Sequence, residues 1–71
     1  VNANAEIRLD LSISYADLGN LERTAGNRTQ AREWYAKALE TVGPLAKGGN
    51  TEADKEVVKY RRALAELGSG R

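Results

Sequence analysis

Seventy-one residues, 41% hydrophobic and 30% charged, suit a single folded domain with a thin core rather than a disordered chain. Cysteine and histidine are both absent, which removes disulfides, thiolate metal sites, the commonest zinc ligand and the commonest general base. The net charge of +1 argues against a general attraction to nucleic acid or membrane. A core of this size rarely supplies more than about 3–5 kcal/mol. Without a staple, such a chain needs very regular helix packing, a partner, or copies of itself.

No apolar run approaches the roughly 20 residues of a membrane span, and the polar opening Val1-Asn2-Ala3-Asn4 does not read as a signal peptide. Methionine is missing throughout, position 1 included, so the chain is expected to have been trimmed, processed or cut from something longer. A fragment of a signalling protein would be cytoplasmic and a processed assembly subunit extracellular; the sequence does not choose. Charge is unevenly spread. Residues 1–26 carry Glu6, Asp10, Asp17 and Glu22 against Arg8 and Arg23, whereas residues 27–71 carry nine basic and six acidic side chains.

A first helix is expected over about residues 4–25. Its main stripe is Ile7, Leu11, Leu18, Leu21 and Ala25, with Ser14 in the remaining position, at the four-and-three spacing of one α-helical face. Leu9, Ile13 and Ala16 form a second apolar stripe, and a helix apolar on two sides expects neighbours on two sides. Either the third helix packs on the second side, or one of the two faces belongs to a further repeat or another molecule. Gly26-Asn27 reads as a helix stop and a new cap, with Gln30 completing a capping box.

The second helix, about 28–47, carries Ala31, Tyr35, Ala38, Val42 and Leu45 on one face. Pro44 must either kink it or end it near Val42, because proline lacks the N–H and crowds the carbonyl four residues back. Gly48-Gly49-Asn50-Thr51 marks the next break, with Thr51 as cap and Glu52 and Asp54 at the positive end of a third helix over about 51–67. That helix carries Ala53, Val57, Tyr60, Leu64 and Leu67, and residues 68–71 read as a frayed tail. The expected class is all-α: an antiparallel helical hairpin plus a third helix.

Leu11-Ser12-Ile13-Ser14-Tyr15, then Gly26-Asn27, then Ala31-Arg32-Glu33-Trp34-Tyr35-Ala36-Lys37-Ala38-Leu39 resembles a tetratricopeptide repeat. The resemblance gives family packing roles to Leu11, Ser12, Tyr15, Gly26, Ala31, Tyr35 and Ala38, with Pro44 in the family's closing position. Tyr15 and Gly26 are eleven residues apart, where the family has about four. The added seven are two helical turns, which lengthen the helix and keep its face. In this the chain is similar to long-helix repeats of bacterial signalling proteins. The resemblance implies a non-catalytic protein-binding scaffold, and a lone repeat implies that its open faces are covered by other chains, in a dimer or a filament.

Individual chemical motifs are weak. Ser12, Ser14 and Ser69 have no histidine to activate them, and Glu6 with Asp10 reads as a solvated face beside Arg8. No cofactor or metal is expected. Lys55, Lys59 and Arg62 line one side of the third helix and could meet an acidic partner. Glu56–Lys59 and Arg62–Glu66 pairing favours a solvated face there over nucleic-acid binding. Asn27-Arg28-Thr29 matches a glycan acceptor, but Asn27 already has a capping role. Trp34 stands about 100° from the core position Tyr35, so it either anchors an interface or covers the hairpin edge beneath the third helix. The expected interface residues are Leu9, Ile13, Tyr15, Trp34, Lys55, Lys59 and Arg62. The expected partner is a protein or peptide, or further copies of the chain.

Overall fold

The computed structural model describes residues 3–69, in three helices: α1 (Ala3–Thr24), α2 (Arg28–Lys47) and α3 (Thr51–Ser69). The described residues contain no strand. Val1, Asn2, Gly70 and Arg71 lie outside them, and with them part of the expected tail. Gly68 and Ser69 still belong to α3 rather than to a frayed end.

The two turns are built alike. Gly26 (φ 86°) and Gly49 (φ 93°) occupy the left-handed conformation that only glycine adopts without strain. Gly26 N–H donates to the carbonyl of Arg23 and Asn27 N–H to that of Glu22; Gly49 and Asn50 repeat the pattern on Ala46 and Leu45. Each turn thereby closes the preceding helix with a Schellman motif.

The asparagine that follows each glycine behaves differently. Asn50 Oδ1 accepts the Ala53 N–H at 2.9 Å and caps α3, so the cap is Asn50 and not Thr51, which is already the first helical residue. Asn27 makes no side-chain cap bond, and the expected capping box with Gln30 does not form. Its amide Nδ2 instead donates to Glu22 Oε1 at 2.8 Å, tying the turn back to α1.

Helix α2 runs through Pro44 to Lys47, so ending near Val42 is ruled out. Two local features explain the tolerance. Gly43 has no Cβ for the proline ring to strike, and both Glu40, whose carbonyl loses its partner, and Pro44 are exposed to water.

α2 stands between the other two helices, which both pack on it and scarcely meet one another. Direct links between α1 and α3 are made by long side chains. Arg23 donates to Glu66 at 2.8 Å, and Ser12 Oγ lies 3.5 Å from Tyr60 Oη. The core comprises Ala16, Ala31, Tyr35, Ala38, Val42, Ala53, Tyr60 and Leu67, with Ser12 buried among them. Alanine fills half of these positions, which lets backbones approach closely and leaves the tyrosines to fill the wider gaps.

The inward face of α1 differs from the expected one. Ser12, Ala16 and Gly19 are buried, with Leu9 packed against the core. All six positions of the expected main stripe, Ile7, Leu11, Ser14, Leu18, Leu21 and Ala25, are exposed. The reason is steric. A Cβ added at Gly19 would stand 3.1 Å from the Tyr35 ring, so α1 approaches α2 at a separation that only small side chains permit. Leucines on that face would push the helices apart.

Candidate protein-interaction surface

The outward stripe of α1 carries four of the six large apolar side chains that are exposed among the described residues. Ile7 is 62% and Leu21 67% exposed, and Leu11 and Leu18 lie between them on the same face. Leu11, expected in hairpin packing, is therefore a surface residue. Isolated exposed leucines are ordinary, whereas a row of them on one helix face is the kind of patch that interaction sites use. Elsewhere the large exposed apolar side chains are Ile13, beside Ser12 on α1, and Val58 on α3.

Tyr15 borders this row, since it lies one helical turn from both Leu11 and Leu18. Its ring stacks on Trp34 of α2, with centroids 5.8 Å apart and planes 26° from parallel. Lys37, one turn after Trp34, holds its ammonium 5.9 Å from the Tyr15 centroid and 5.7 Å from that of Trp34. A cation over two electron-rich faces is attracted by their quadrupoles, at about 0.5–1 kcal/mol when exposed. The three side chains fix one flank of the α1–α2 hairpin. Trp34 is half-buried there, against Tyr15.

The structure brings Tyr15 and Trp34 together and disperses the other expected interface residues. Leu9 is half-buried against the core and is not a free contact residue. Ile13 is exposed. Lys55, Lys59 and Arg62 are exposed along α3, with Lys59 Nζ 3.6 Å from Glu56. Glu66 reaches across to Arg23 of α1. Among the packing residues, Ser12, Ala31, Tyr35 and Ala38 are buried, Tyr15 is half-buried and Gly26 shapes the turn.

Two participants and one contact do not follow from the sequence pattern. Lys37 could have been found from its three-residue spacing to Trp34. Gly19 gives no hydrophobic signal, and its importance appears only when the Tyr35 ring is seen against it. Tyr60, expected as a core residue, also donates its hydroxyl to Glu56 Oε1 at 2.7 Å. Burial pushes the Tyr60 phenol up to about 12, and the Glu56 carboxylate adds to the shift against the contrary effect of Ser12. Tyr35 similarly donates its hydroxyl proton to Asn20 Oδ1, tying α2 to α1.

Between α2 and α3 an open depression of about 260 Å³ is lined by Gly43, Ala46, Lys47, Asp54, Val57 and Arg61. Among the described residues, no three acidic side chains gather as a metal site would require, and no helix is long and apolar enough to cross a membrane. No protein-family model, no curated protein and no solved structure matches the chain.

Proposed function

We propose that this chain is a non-catalytic protein-interaction module of the tetratricopeptide type, whose contact surface is the outward face of α1 and the Tyr15–Trp34 flank. The observation that carries the reading is the row Ile7, Leu11, Leu18 and Leu21, left exposed on a helix whose opposite face is satisfied by α2. The family reading is supported by Ser12, Ala31 and Ala38, small and buried where two helices approach, with Tyr35 beside them. Leu11, turned outward, departs from that pattern.

The test is photo-crosslinking from position 18, with position 55 on α3 as control. The reading expects a crosslinked protein, another molecule or this chain, at position 18 that is lost in Leu11→Glu and weakened in Trp34→Ala. Folded Leu11→Glu protein with unchanged crosslinks, or no crosslink at position 18 in folded wild-type protein, overturns it.

A self-assembling subunit is the second reading, favoured by the spacing within the same row.

A further inference from the structure

We infer that the outward face of α1 is the seam of a closed, antiparallel pair formed with a second copy of this chain. The inference rests on the interaction reading above and names the partner of that surface.

Ile7, Leu11, Ser14, Leu18, Leu21 and Ala25 are separated by alternating steps of four and three, and every one is exposed. That is a strict heptad seam over about 27 Å, five of its positions in α1 and the sixth, Ala25, in the turn that follows it. It is narrower than the stripe by which a helix joins a globular core. Set antiparallel about a two-fold axis near residue 16, the seam matches itself in size. Ile7 of one copy meets Ala25 of the other, Leu11 meets Leu21, and Ser14 meets Leu18. In two of the three layers a small residue faces a large one, as interdigitating layers require. A parallel pair would stack Ser14 on Ser14 and Ala25 on Ala25, leaving gaps.

The flanks agree. On one side Arg8 of each copy comes beside Glu22 of the other, so two opposite-charge pairs form, and Tyr15 meets Tyr15 at the axis with its Trp34 partner behind it. Arg8 is exposed and makes no ion pair among the described residues. On the other side Asp17 meets Asp17 at the axis, a single like-charge contact. A head-to-tail filament fits less well. The outer face of α3 offers Val58 between Lys55 and Arg62, so four large apolar side chains of α1 would meet mainly charge. The isologous contact buries apolar against apolar and closes on itself.

Sedimentation equilibrium of the full chain from micromolar to millimolar concentration should show a monomer–dimer equilibrium with no larger species. Leu18→Glu should weaken it at least about a hundredfold, because two buried leucines are lost per pair. Circular dichroism should show that variant as helical as the wild type, since Leu18 is exposed in the monomer. Arg8→Glu should weaken the pair, and Arg8→Glu with Glu22→Arg should restore it. Asp17→Asn should tighten it. Because the chain has no cysteine, orientation is read by oxidation. A mixture of Ile7→Cys and Ala25→Cys should crosslink as a heterodimer, while neither alone should. A monomer at all concentrations, crosslinking of Ile7→Cys alone, or growth beyond the dimer overturns the inference. A monomer whose position 18 crosslinks to a different protein overturns it while leaving the interaction reading intact.

Discussion

The two faces of α1 make a comparison within one helix. The face turned to α2 carries Ser12, Ala16 and Gly19, which offer little apolar area. The face turned to water carries Ile7, Leu11, Leu18 and Leu21, which offer a great deal. Hydrophobicity alone would have them the other way round. What decides the matter is how closely the backbones approach: packing with alanine-rich α2 rewards small side chains, because each extra carbon there separates two helices rather than filling a gap. Large side chains need a partner that can interdigitate with them, and α2 is not one.

The sharpest way to break this comparison is to enlarge the inner face. Gly19→Val places a branched side chain against the Tyr35 ring, where even a single Cβ stands at 3.1 Å. It should destabilise the fold by about 1–3 kcal/mol, seen as a lower urea midpoint. An unchanged midpoint would mean that α1 is not held at this separation.

The inner face also meets α3, through Ser12 and Tyr60, and there the comparison can be read in pH. The Tyr60 phenol is pushed up to about 12 from an ordinary 10. A raised folded value means that the fold favours the neutral phenol, so its contribution is complete below pH 10 and is lost as pH rises through about 12. Melting temperature should therefore fall between these limits more steeply in wild type than in Tyr60→Phe. Parallel curves would remove Tyr60 as the source.

The smallest effect belongs to the outer face. Leu21→Ser, measured at a concentration where the chain is monomeric, should change stability by no more than about 0.5 kcal/mol, although it removes a large apolar side chain. A loss above about 2 kcal/mol would show that Leu21 is buried in solution and that the two faces have been exchanged.

Much of the fold was legible in the sequence. The helical spacing and the Gly26-Asn27 and Gly48-Gly49-Asn50 breaks place all three helices within two residues of their ends. The orientation of α1 was not, because a helix apolar on two sides fits either, and the deciding residues are the ones with least to show. Nor could identical Gly-Asn turns reveal that Asn50 caps while Asn27 pairs with Glu22, since that depends on a carboxylate five residues earlier. For the candidate surface, Tyr15 and Trp34 were both anticipated. Their stacking was not, because it needs the register between α1 and α2, which no single-helix pattern contains.

The central place of α2 has a consequence for motion. Since α1 and α3 both lean on it and their backbones scarcely meet, either outer helix is expected to open without parting the remaining pair. The molecule then opens as two hinged leaves on one spine, and amide exchange should be slowest in α2, around Tyr35, Ala38 and Val42. Opening on the α1 side would stretch Ser12–Tyr60 and Arg23–Glu66, which link the two helices. A pair joined through α1 would slow that leaf and leave the α3 leaf free to open, making the chain's dynamics asymmetric although its turns are nearly the same.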